Sequence, residues 1–172
     1  MMEFFRKVFW CLLFLPFFMN GQNNGFIHHD KNLASVISEN VEYFEGYSGQ
    51  NKFVIYYDKV KQSSENSDQY EVFAHTDSGG TRKNFKGTMI FRLSFGVRNQ
   101  PDEILHFGDF NFTEENGSSS IQGKFRMQMV KQPDENSHCT ITFKGKFNSE
   151  NSSECVWWAN FAPNNIDEVI FK

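Results

Sequence analysis

The chain has 172 residues, 39% hydrophobic, 22% charged and 17% aromatic, with 21 Phe against 4 Pro and 12 Gly. It is too aromatic for a disordered tail, and too poor in Gly and Cys for a collagen or a small disulfide scaffold. A formal net charge of −4 and a pI near 5.7 supply no uniform basic field to hold a nucleic-acid backbone or an anionic membrane surface.

At the start, Arg6 and Lys7 precede an apolar run from Val8 to Met19, with small and polar residues at Asn20-Gly21-Gln22. This pattern reads as a secretory signal peptide over residues 1–21, cleaved next to Gly21. The run falls short of the roughly 20 residues that cross a bilayer as a helix. No second such run follows, so the expectation is an exported protein, periplasmic or extracellular, with no membrane span. Cys11 follows Phe9-Trp10 in mid-run, where a lipid-modified cysteine would need small residues before it. The Gly-Gln junction and the Phe-, Asn- and Lys-rich chain after it are similar in style to exported proteins of Bacteroidetes-type bacteria, a resemblance confined to the leader. Sequons at Asn111, Asn116 and Asn151 carry no weight by themselves in a chain so rich in Asn and Ser. The roughly 150 residues beyond the leader suit one domain with one core.

Residues 22–50 form an N-terminal segment of different character. His28-His29-Asp30 is the densest group of potential metal ligands, but adjacent histidines on an extended segment point apart, and no third ligand follows at helical spacing. No metal is expected. Leu33, Val36, Ile37, Val41 and Phe44 recur at spacings of three and four behind Asp30, a candidate N-cap, which predicts a short helix able to close one end of a sheet. A strand over Val41 to Tyr47 is the alternative.

Residues 51–172 form an antiparallel β domain, because alternation with period two dominates. In Phe85 to Phe95, one face collects Phe85, Met89, Phe91, Leu93 and Phe95 and the other Lys86, Thr88, Arg92 and Ser94. Ile121, Phe125, Met127 and Met129 oppose Gln122, Lys124, Arg126 and Gln128; Cys139, Ile141, Phe143 and Phe147 oppose Thr140, Thr142, Lys144 and Lys146. Weaker alternation marks 52–61, 69–77, 103–112, 155–162 and 166–171, with polar turn tracts between. The fold class expected is therefore all-β, an antiparallel meander of about eight strands.

The motif apolar, polar, Gly, polar, apolar occurs at Phe85 to Met89, Ile121 to Phe125 and Phe143 to Phe147, and puts Gly87, Gly123 and Gly145 on the inner face. A glycine inside a strand gives up packing and marks coiling, a bulge or close approach. Repeated on one face, it favours a closed barrel of the lipocalin-like general type with the short helix at its N-terminal side. A β-sandwich is the alternative.

Catalytic signals are weak. There is no Gly-x-Ser-x-Gly elbow, HExxH, CxxC or phosphate-binding glycine loop, and His75, His106 and His138 fall on separate strands as surface or satisfied residues. Glu114-Glu115 and Asp102-Glu103 read as solvated loop charges. Cys139 has apolar neighbours and no visible cause for a lowered thiol pKa. No catalytic residue and no cofactor are expected. If the last strands pair as a hairpin, Cys139 falls opposite position 162 or 163 and out of reach of Cys155.

Trp157 and Trp158 should face opposite sides of a strand, one filling the core and one available to stack on a sugar or a protein partner. With Phe91, Phe125, Met127 and Phe143 on the inner face, they are the candidate ligand-binding residues, while Gly87, Gly123 and Gly145 leave room inside. The function expected is a secreted, non-enzymatic binding protein for a small apolar molecule or a glycan. The alternatives are a protein-interaction module, such as an inhibitor or neutralising partner, and a small hydrolase. Interior volume discriminates, because 15 Phe lie beyond the leader and could fill the barrel.

Overall fold

The computed structural model describes residues 32–38, 43–78, 80–133, 137 and 139–160. The leader, His28-His29-Asp30, Val41, His138 and the expected strand at 166–171 lie outside them. Among the described residues, one short helix, α1 (Ala34–Ser38), is followed by eight strands: β1 (Phe44–Ser48), β2 (Asn51–Gln62), β3 (Gln69–Ser78), β4 (Thr81–Val97), β5 (Gln100–Glu114), β6 (Ser119–Val130), β7 (Cys139–Ser149) and β8 (Ser153–Ala159). All neighbouring pairs are antiparallel and follow chain order in a single sheet, so the described residues do not form the two sheets of a sandwich. β1 pairs with β2 and also with β8, in the register Gly46↔Trp158, and the two ends of the sheet meet.

The membership of the strand set differs from the expectation. The sheet begins at Phe44, within the stretch expected to precede it, because the periodic segment splits after one helical turn. Asn32 Oδ1 accepts the Ala34 N–H at 2.9 Å and starts α1 as its cap. Phe44, Gly46 and Ser48 then alternate as a strand between β2 and β8.

Alternation decides the core. Ile121, Phe125, Met127, Met129, Cys139, Ile141 and Phe143 are buried, as the sequence pattern requires. One assignment is corrected in β4. The register shifts between Phe91 and Leu93, so Arg92 is a bulge residue that reverses the faces beyond it. Leu93 is consequently 52% exposed, Ser94 is 5% exposed, and Phe95 packs outside against Phe107. A second bulge between Tyr57 and Lys59 lets both Tyr57 and Val60 join the inner set.

The glycines mark close approach of neighbouring backbones. Gly123 and Gly145 are cross-strand partners, and a Cβ on either would run into a carbonyl oxygen of the adjoining strand, that of Lys144 or Gln122. At Gly87 the obstacles are the Asn111 carbonyl and Phe112, and at Gly108 the Ile90 carbonyl and the Phe125 ring. Such spacing belongs to a strongly coiled sheet, and aromatic rings cover the gaps that the missing side chains leave.

Those rings fill the middle of the enclosed space. Trp158 stacks on Phe143 at 4.8 Å with an interplanar angle of 8°, and Phe110 meets both edge-on at 5.0 and 5.5 Å. Phe44, Tyr57, Phe112, Phe125 and Phe91 extend the cluster. Trp158 Nε1 donates to the Tyr57 hydroxyl at 3.2 Å, which gives the buried indole its partner. Burial drives the Tyr57 phenol pKa up, the indole hydrogen bond opposing it weakly.

Candidate functional site

The two ends of the closed sheet are built differently. At the end carrying the β2–β3, β4–β5 and β6–β7 connections, α1 lies across the opening with Leu33, Val36 and Ile37 buried in the common core. The Leu33 N–H donates to the Tyr70 hydroxyl at 3.1 Å, and Cys139 Sγ donates to the Val36 carbonyl at 3.4 Å. Burial pushes the Cys139 thiol up to about 12, so it is a packing residue and not a nucleophile.

At the opposite end, the β1–β2 and β7–β8 turns frame a cavity of about 220 Å³ that opens to solvent. Phe53, Phe85, Ile121, Phe147 and Val156 form its walls, and Ser48, Asn51, Lys52, Thr76 and Lys83 bring polar groups to it. Apolar walls with a few polar groups are the composition of a small-molecule site, here smaller than the usual range of about 300–1,000 Å³. An apolar cavity of about 150 Å³ is enough for benzene. Gly49, at φ 58°, makes the tight β1–β2 turn that sets Ser48 and Asn51 side by side.

Next to the cavity lies a buried carboxylate that the sequence suggested was solvated. Glu114, paired with Phe85 across β4 and β5, is 7% exposed. Asn116 Nδ2 donates to Oε1 at 3.0 Å, Ser118 Oγ to Oε2 at 3.0 Å, and Ser119 Oγ also to Oε2. Burial alone would raise its pKa. The Ser119 and Ser118 hydrogen bonds, the Lys83 charge and Asn116 outweigh it and hold the carboxyl below its ordinary value. Lys83 Nζ stands 3.8 Å from this carboxylate and 5.9 Å above the Phe147 ring.

None of the six candidate ligand-binding residues lines this cavity. Phe91, Phe125, Met127, Phe143 and Trp158 are buried in the packed interior. Trp157 faces outward on β8, half-buried, with its ring 5.1 Å from that of Tyr47. Gly87, Gly123 and Gly145 do face inward, but backbone and rings occupy the space beside them. The residues missed are Phe53, Phe85, Ile121, Phe147 and Val156 as walls and Lys83 at the mouth, together with Gly46 and Gly108 as close-approach glycines. Parity was the available signal, since Lys83, Phe85 and Gly87 share one phase of β4.

Among the described residues, hydrolytic groups do not converge. His75 Nδ1 pairs with the Asp58 carboxylate at 2.8 Å and its ring stacks on Tyr56, all on the outer face. His106 is buried on the inner face, 2.7 Å from Ser94 Oγ. Among the described residues, no three His, Cys, Asp or Glu side chains are placed to hold a metal ion. No helix among them is long and apolar enough to cross a membrane. Cys155 pairs with Lys146, so β7 and β8 form the hairpin that carries it away from Cys139. No protein-family model, curated protein or solved structure matches the chain.

Proposed function

We propose that this protein is an exported, non-enzymatic binding protein, a small closed barrel of the lipocalin-like general type that takes a small apolar molecule at its open end. The supporting observation is the asymmetry of the ends: α1 plugs one, while the other keeps an apolar-walled cavity of about 220 Å³. Barrels of about eight strands are either filled by side chains or able to hold one small ligand. This one is filled in its middle, so the ligand is a short one that enters at the mouth. Export rests on the Arg6-Lys7 leader and its apolar run, and intact-mass measurement of secreted protein should find residues 1–21 absent.

The binding reading is tested with 2-naphthamide, a neutral fluorescent ring system of suitable size. Saturable binding is expected, and Ser48→Phe or Thr76→Phe should abolish it by filling the cavity, with near-ultraviolet circular dichroism confirming the fold. Binding that survives both substitutions would contradict the reading. A second reading, a protein-interaction surface, is favoured by one observation: Tyr47, 37% exposed, and Trp157 form an aromatic pair on the outer wall. Loss of a partner on Trp157→Ala with naphthamide binding intact would support it.

A further inference from the structure

The cavity lining contains two lysines, Lys52 and Lys83, and no carboxylate, in a chain whose net charge is −4. The acids nearby are already engaged. Glu45 accepts Lys52 Nζ at 2.9 Å, and Glu154 accepts the Ser48 hydroxyl at 2.8 Å from the rim. Glu114 spends its two oxygens on Asn116, Ser118 and Ser119. That leaves Lys83 at 3.8 Å from Glu114, well beyond the roughly 2.7–2.9 Å of a direct charge-assisted hydrogen bond. Its ammonium therefore keeps hydrogen-bonding capacity, and its stem comes from the inward phase of β4, two residues before the Phe85 wall. The Thr76 hydroxyl and the Asn51 amide line the same cavity and add donors for an anionic oxygen, while the Ser48 hydroxyl is spent on Glu154.

Resting on the binding reading above, we infer that the ligand is an apolar molecule carrying one anionic group, a carboxylate or its equivalent. Its hydrocarbon part lies against Phe53, Phe85, Ile121, Phe147 and Val156, and its charge sits at the mouth on Lys83. A neutral ligand would gain the walls alone. A cationic one would face the Lys83 ammonium, Lys52 being turned to Glu45 on the other face of β2.

The test is a matched pair of probes, 2-naphthoate and 2-naphthamide, titrated by calorimetry into the protein as secreted. Naphthoate should bind about fivefold more tightly, the size of effect that a half-exposed ion pair supports. The preference should shrink in 0.5 M NaCl, where screening is short-ranged. Lys83→Gln should erase the preference by weakening naphthoate more than naphthamide, and Lys52→Gln, whose parent lysine is held by Glu45, should change it less. Equal affinity for the two probes, tighter binding of the amide, or a preference that persists in Lys83→Gln overturns the inference and leaves the cavity reading standing. Failure of both probes to bind overturns the two together.

Discussion

The two ends of this closed sheet use the same alternating inner face to opposite effect. At the helix end, α1 adds Leu33, Val36 and Ile37 to the core, and the polar groups brought with them are satisfied locally, by the Tyr70 hydroxyl and by Cys139. At the hairpin end nothing described covers the inner face, and Phe85, Ile121 and Val156 look into a cavity edged by Lys52 and Lys83. On the proposed function, stability and binding are thereby separated along the axis of the sheet. The helix end and the aromatic middle hold the fold, and the hairpin end is available for a ligand.

That separation predicts a gradient of mutational effects. The largest falls at the plug. Ile37 is 1% exposed, and Ile37→Ala should cost about 2–5 kcal/mol in chemical denaturation, with naphthamide affinity of the folded protein unchanged. In the middle, Gly108→Val or Gly123→Val forces a side chain into a neighbouring backbone and should cost about 1–3 kcal/mol. Lys124→Val is the control, since the Lys124 side chain is 85% exposed and β-propensity alone predicts stabilisation by Val. Asn32→Ala removes the α1 cap and should cost about 1 kcal/mol.

Glu114 adds a pH signature near the open end. Its folded pKa is depressed below the ordinary 4.5, so its ionised form contributes stability above that pH, and the contribution is lost as pH falls through the folded value. Glu114→Gln should therefore destabilise at pH 7, on the order of 1 kcal/mol, and lose that effect toward pH 3 in paired denaturation curves. The smallest effect belongs to Lys83→Gln, within about 0.5 kcal/mol of wild type, because the Lys83 side chain is 45% exposed and its ion pair is long. A Lys83 variant as costly as Ile37→Ala would erase the distinction between the ends.

Much of the fold was legible in the sequence because period-two alternation is a direct consequence of strand geometry. The phases of β6 and β7, the β7–β8 register and the inward glycines could all be read that way. What alternation does not carry is a bulge: Arg92 inserts one residue, and Leu93 and Phe95 change faces without any warning in residue type. The N-terminal turn was ambiguous for a related reason, since α1 and β1 together span too few residues for either period to establish itself. The cavity walls were not singled out because inner-face aromatics look alike in sequence. Phe125 and Phe143 lie where rings from facing strands interlock, whereas Phe53, Phe85 and Phe147 lie where the strands end, and only the three-dimensional register separates the two groups. Glu114 looked like a loop charge because its donors, Ser118 and Ser119, lie across the turn.

The division between a structural end and a binding end is tested most directly by backbone amide chemical-shift mapping during titration with 2-naphthamide. The account predicts shifts that cluster at Asn51 to Phe53, Lys83 to Phe85, Ile121, Phe147 and Val156, with Leu33 to Ser38, Tyr70 and Cys139 unmoved. Shifts centred on the helix end, or on Phe125 and Phe143 in the packed middle, would contradict it.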